Sequence, residues 1–184
     1  LEILVLDEAD RMLDMGFISA VETIAAATPS TRQTLLFSAT LEGNIAKLAQ
    51  RLLKNPQRIQ MASAQAKHEN IEQRLHHTDD DGHKQRMLAH LLIDGSVDKT
   101  IIFTATKRGA DKLARTLLVN GHKVAALHGD MNQSARNRVI HQLRGGTVRV
   151  LVATDVAARG IDVNGVSHVI NFDLPRSAED YVHR

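Results

Sequence analysis

Short aliphatic and β-branched runs alternate along the chain with amphipathic stretches. Seven runs have the length and composition of strands: Ile3–Leu6, Thr34–Ser38, Ile71–His77, Thr100–Thr104, Val124–Leu127, Val148–Ala153 and His168–Asn171. They are near-continuously apolar, as strands covered on both faces of a parallel sheet tend to be. Helical periodicity fills the intervals. Ile45–Leu53 places Leu48, Ala49, Leu52 and Leu53 on one face, and Ala110–Leu118 does the same with Leu113, Ala114, Leu117 and Leu118. Arg136–Leu143 carries Val139, Ile140 and Leu143. Turn signals follow at Asn55-Pro56, Asn120-Gly121 and Gly145-Gly146. Strand–helix repetition predicts an α/β fold with right-handed crossovers and ligands at the carboxyl ends of its strands.

One stretch breaks the pattern. Gln60–Asn70 is polar, rich in small residues and without apolar period, the character of a linker. The expected division is therefore 1–60, the back part of one domain, then a linker at 61–70, then a second domain at 71–184. Charge follows that division. Residues 1–65 hold 6 Lys/Arg against 7 Asp/Glu, and residues 66–184 hold the remaining 17 against 14. The sum is a net charge of only +2, so any anionic partner would be held by placed groups rather than by a basic field.

Composition removes several classes. There is no cysteine, which excludes disulfides, thiolate zinc sites and a cysteine nucleophile. Four Phe, one Tyr and no Trp disfavour a nucleic-acid reader built on stacking. His76, His77, His83 and His90 lack the spacing and flanking ligands of a metal site. Apolar runs fall far short of the ~20 residues that cross a bilayer. The chain opens on Leu1 without a signal peptide and stops at Arg184 without a closing element. A piece of a longer cytoplasmic protein with no membrane partner is the expectation.

The chemistry starts at Leu4-Val5-Leu6-Asp7-Glu8-Ala9-Asp10. An apolar strand ending in adjacent carboxylates presents them at a sheet's carboxyl edge. In nucleotide hydrolases an Asp there holds hydrated Mg²⁺ and a neighbouring Glu deprotonates the attacking water. The same acids would equally suit the positive end of the next helix, and the stretch alone does not choose between the two.

The run continues as Arg11–Phe17 (RMLDMGF), and Leu35-Leu36-Phe37-Ser38-Ala39-Thr40 follows about thirty residues after Asp7. Together they closely resemble motifs II and III of DEAD-box ATP-dependent RNA helicases of superfamily 2, bacterial type. Ile101-Ile102-Phe103 with Thr106-Lys107-Arg108 resembles motif IV. His128-Gly129-Asp130 with Gln133 and Arg136 resembles the QxxR element. Ala153 to Asp162 (ATDVAARGID) resembles motif V, and Tyr181-Val182-His183-Arg184 the start of motif VI. The likeness covers the whole chain in order and spacing.

The resemblance implies two RecA-like parallel-sheet domains, the first partial, and lends roles to matching positions. Asp7 would bind Mg²⁺ through water, and Glu8 would be the base for water attack on ATP. Asp10, Ser38 and Thr40 would couple nucleotide state to domain closure, their hydroxyls bridging carboxylates; the two hydroxyls also suit a cap on the following turn. Arg159 and His183 would join that coupling, and Asp162 would meet the ATP ribose. Thr106, Gln133, Arg136, Thr154 and Gly160 would meet the RNA sugar-phosphate backbone. Without the resemblance, Gln133 and Arg136 read as an exposed first helical turn. None of these contacts reads a base edge, so binding independent of sequence is implied.

The implied activity is local RNA duplex unwinding or ribonucleoprotein remodelling with ATP and Mg²⁺. Ribosome-assembly or RNA-decay proteins are partners of the kind it allows. No Gly here precedes a Lys, so the family's phosphate loop GxxxxGK[ST] is not among these residues, and the later motif VI arginines are not either. The 184 residues alone are therefore expected to be inactive. A DNA translocase with the same ATPase core and a non-enzymatic RNA-binding scaffold are the competing classes. The SAT, ARGID and DEAD spellings favour RNA, and the intact acids argue against a scaffold.

Overall fold

The computed structural model describes residues 1–60, 71–94 and 97–184. It divides into two compact units, Leu1–Glu72 and Gln73–Arg184. The linker expected at 61–70 lies outside the described residues.

The first unit runs β1 (Ile3–Leu6), α1 (Ala9–Asp14), α2 (Ile18–Ala26), β2 (Gln33–Leu36) and α3 (Gly43–Leu52). The strands pair in parallel, with Ile3 opposite Gln33 and Leu6 opposite Leu36. Its core gathers Leu6, Ala9, Val21, Ala25, Ile45 and Leu48. The strands are less covered than their apolar run implies. Ile3 and Val5 are 50% and 53% exposed, because alternate residues of β1 face opposite sides and only one side is packed.

The second unit contains α4 (Asp81–Ile93), β3 (Lys99–Phe103), α5 (Lys107–Val119), β4 (Val124–Leu127), α6 (Gln133–Arg144), β5 (Val150–Ala153), α7 (Asp155–Ala158), β6 (Val166–Asn171) and α8 (Ala178–His183). Its four strands form a parallel sheet in the order β4-β5-β3-β6. The central β5 is buried at all four positions. Val150 and Val152 pack with Leu88 of α4 and Leu113 and Leu117 of α5. The alternate residues Leu151 and Ala153 pack with Val139 and Leu143 of α6 and Ala157 of α7. Both faces of this sheet are thus covered, which is why β5 carries no polar residue. Truncating the fully buried Leu151 to alanine would cost about 2–5 kcal/mol.

Side-chain caps start the helices. Asp80, Thr106, Asn132 and Ser177 each accept the backbone N–H three residues on, satisfying one unpaired donor at the start of α4, α5, α6 and α8. Among the described residues no helix is long and apolar enough to cross a membrane.

The strand expected at Ile71–His77 is not present. Among the described residues, 71–77 pair with no strand, and Ile71 and Leu75 are 60% and 77% exposed. β-branching and apolarity suit a pleated surface, yet a strand exists only with a ladder partner, and β6 pairs only with β3 among the described residues. Within the segment, Gln73 Oε1 accepts a hydrogen bond from the Tyr181 hydroxyl at 2.7 Å.

Candidate functional site

In the first unit the site forms where β1 and β2 end side by side. The Phe37 N–H donates to the Leu6 carbonyl at 2.8 Å, and the Ala9 N–H to the Phe37 carbonyl at 3.0 Å. Between these bonds the chain turns abruptly through Glu8, whose φ of 49° and ψ of 48° are left-handed. For a non-glycine residue that conformation costs about 1–2 kcal/mol. Strain of this kind gathers at functional sites, where the surrounding structure holds it in place. Asp7 Oδ1 accepts the Glu8 N–H at 2.9 Å, and both acids are exposed at the sheet's carboxyl edge.

Asp10 joins this turn to the one after β2. Its Oδ2 accepts the N–H groups of Ala39 at 3.1 Å and Thr40 at 3.3 Å, while its Oδ1 accepts the Arg11 N–H at 2.9 Å. Ser38 Oγ accepts the Asp10 N–H at 3.3 Å. In this unit Asp10 therefore docks the turn after β2 without donation from the Ser38 or Thr40 hydroxyls. Backbone N–H groups make the bridge, because the tight turn after β2 points two of them at one carboxylate oxygen.

In the second unit the nominated RNA residues collect at one edge. Thr106 follows β3, Gln133 and Arg136 follow β4, and Thr154 and Gly160 follow β5, so they sit beyond the carboxyl ends of three adjacent parallel strands. Thr106 Oγ accepts the Gly109 N–H at 3.0 Å, a helix cap as well as a candidate ligand. Gln133 Nε2 donates to Asn137 Oδ1 at 2.8 Å on the exposed first turn of α6. Arg136 is half-buried, with Nη2 on the Ala157 carbonyl at 3.2 Å. Thr154 opens α7, and Gly160 follows it with a φ of 67° that favours glycine. Nearby, a hydrogen bond from Lys107 at 2.9 Å holds the Asp130 carboxyl below its ordinary range.

The remaining nominated residues lie around α7 and α8. Arg159 Nη2 is 3.9 Å from Asp180 Oδ1, with both side chains largely buried. Asp162 is exposed, its carbonyl gripped by Arg144 Nε at 3.0 Å and Nη2 at 2.7 Å. His183 ends α8, exposed.

Three residues that sequence reasoning left without a role organise this edge. Arg184 pairs with Asp155, and Asp173 accepts Lys84 Nζ at 2.9 Å and the Ala105 N–H at 2.9 Å. Asp155 stood in the sequence inside the stretch that resembles motif V. Asp173 had no such signal, because its partners lie 68 and 89 residues away.

Known proteins share this arrangement. The family model "Helicase conserved C-terminal domain" matches residues 83–184, and "DEAD/DEAH box helicase" matches residues 1–48. The ATP-dependent RNA helicase SrmB of Haemophilus influenzae is 47% identical over all 184 residues. The RNA helicase CrhR of Synechocystis is 46% identical over 98% of the chain. The chain spans 42% and 37% of those relatives' lengths. A solved structure of S. cerevisiae Dbp5 bound to RNA and ADP BeF3 matches the whole chain and 49% of its own, with a TM-score of 0.86 and 35% identity. The motif order, the strained acid turn and both family models agree, and the chain belongs to the DEAD-box RNA helicase family.

Proposed function

We propose that this chain is the central part of an ATP-dependent RNA helicase that couples ATP hydrolysis to local duplex unwinding or ribonucleoprotein remodelling in the cytoplasm. In this reading Glu8 takes the proton of the water that attacks the γ-phosphate. Asp7 holds Mg²⁺ through water; two exposed carboxylates at a strand end suit a hard, hydrated cation. Bound Mg²⁺ would offset phosphate charge. Asp162 meets the ATP ribose, and Asp10, Ser38, Thr40, Arg159 and His183 transmit nucleotide state.

RNA binds along the carboxyl edge of the second sheet through Thr106, Gln133, Arg136, Thr154 and Gly160. The observation that carries the reading is the convergence there of two full helix starts, α5 and α6, with the turn of α7. Helix N-terminal N–H groups and short hydroxyls hold phosphates without a large basic field, which fits the net charge of +2. Preference for RNA would come from the ribose 2′-hydroxyl and A-form shape. Relatives named for RNA helicase activity, and Dbp5 bound to RNA and ADP BeF3, support the assignment.

The test is phosphate release by the intact helicase with single-stranded RNA, with DNA of the same sequence, and with neither. Stimulation by RNA alone is expected. Equal stimulation by DNA would favour a DNA translocase, and no ATP turnover at all would favour a scaffold.

A further inference from the structure

The Arg184 side chain is 3% exposed, and its guanidinium is almost wholly committed inside the second unit. Nε and Nη2 donate to the two carboxylate oxygens of Asp155 at 2.5 and 3.0 Å, a bidentate pair. Nη1 donates to Asn171 Oδ1 at 2.7 Å and to the Asp173 carbonyl at 2.8 Å. Its Cζ lies over the Phe103 ring, 4.8 Å from the centroid. Phe103 ends β3, Asn171 ends β6, and Asp155 opens α7 just after β5. One side chain thus ties together the ends of three strands.

The element most in need of that tie is α7, a single turn of four residues. A helix so short does not hold its own shape in water. It is secured at its start by Arg184 on Asp155 and near its end by Arg136 on the Ala157 carbonyl. Thr154 precedes it, and Arg159 and Gly160 follow it, so its placement sets theirs.

We propose that Arg184 is a positioning residue for RNA binding: locked onto Asp155, it fixes the turn that presents Thr154 and Gly160, and it touches neither RNA nor nucleotide itself. The proposal rests on the reading that Thr154 and Gly160 meet the RNA backbone. Lysine would not replace it, because a point charge cannot grip both oxygens, spread over a ring and reach two further acceptors.

The experiment measures, in the intact helicase, the RNA concentration that half-saturates ATPase stimulation, at several salt concentrations. Arg184→Lys keeps the buried charge, and Asp155→Asn keeps the shape of its partner. Each should raise that concentration roughly tenfold, below the ~10²-fold that a 1 Å misplacement can cost. The salt slope should stay unchanged, because no phosphate contact is lost, and KM for ATP should stay within about twofold. Asn171→Ser removes one acceptor and leaves the ion pair, and should raise it about threefold even where the stronger variants fail to fold.

A salt slope lower by about one in Arg184→Lys alone would overturn the proposal in favour of a direct phosphate contact. Lower kcat and melting temperature with unchanged half-saturation would overturn it in favour of a purely structural role. Thr154→Val separates the two layers. If it leaves RNA half-saturation unchanged, the RNA-site reading itself fails; if it weakens RNA while the Arg184 and Asp155 variants do not, only the positioning role fails.

Discussion

Asp10 accepts two backbone N–H groups from the turn after β2, and neither depends on the side chains at Ser38 and Thr40. Removing both hydroxyls loses the bond that Ser38 Oγ accepts from the Asp10 N–H but keeps these two, so the turn should stay docked and the hydrolytic acids in place. In the intact helicase, Ser38→Ala with Thr40→Ala is expected to reduce strand separation more than RNA-stimulated ATP hydrolysis. Parallel unwinding and phosphate-release assays check this, and equal losses would show that the hydroxyls only support the hydrolysis site. Asp173 gives a pH-dependent case. Burial pushes its carboxyl up, but the Ala105 N–H, Lys84 and Arg184 outweigh burial and hold it below the ordinary value. A lowered folded-state value stabilises the protein above the unfolded pKa, and the gain disappears as pH falls through the folded one. Asp173→Asn should thus melt roughly 2–5 °C lower at neutral pH, with the gap closing as pH falls below the ordinary carboxylate range. A gap that widens on acidification would reverse the sign.

At the scale of elements, α6 and α7 meet through Arg136, which lies in the first turn of α6 beyond the carboxyl end of β4 and donates from Nη2 to the Ala157 carbonyl. Arg136→Ala should weaken RNA binding by a similar factor for unrelated sequences and lower the salt slope by about one. Filter binding across a salt series decides it, and an unchanged slope would leave Arg136 as a brace for α7 alone. The elements legible in the sequence were those whose burial is local. β4 was expected at Val124–Leu127 and lies there, and the apolar stripe expected at Ala110–Leu118 is the buried face of α5 through Leu113, Ala114 and Leu117, while Leu118 turns outward and is 61% exposed. The helix α4 was not anticipated, since its His83, Lys84, Gln85, Arg86 and His90 blur the apolar period, though Asp80 stood before it as a cap. Ile71–His77 misled because strand propensity says nothing about whether a neighbour exists. At the site, the acids after β1 were legible because strand ends are. The Arg184 hub was not, because it assembles from Phe103, Asp155, Asn171 and Asp173, which only the sheet brings together.

At the scale of the molecule, the two units divide the chemistry. The first carries the strained turn with Asp7 and Glu8, and the second carries the edge that gathers the RNA candidates. The proposed helicase activity requires that ATP hydrolysis run through the acid turn and answer to RNA. Glu8→Gln keeps the size of the side chain and its capacity for hydrogen bonding but removes the base. The decisive measurement is RNA-stimulated phosphate release by the intact helicase carrying this one change, with ATP binding followed alongside. Binding retained with turnover reduced by about 10²–10⁴-fold is the expected result, whereas turnover within about threefold of the unaltered enzyme would contradict the role given to Glu8 and the mechanism built on it.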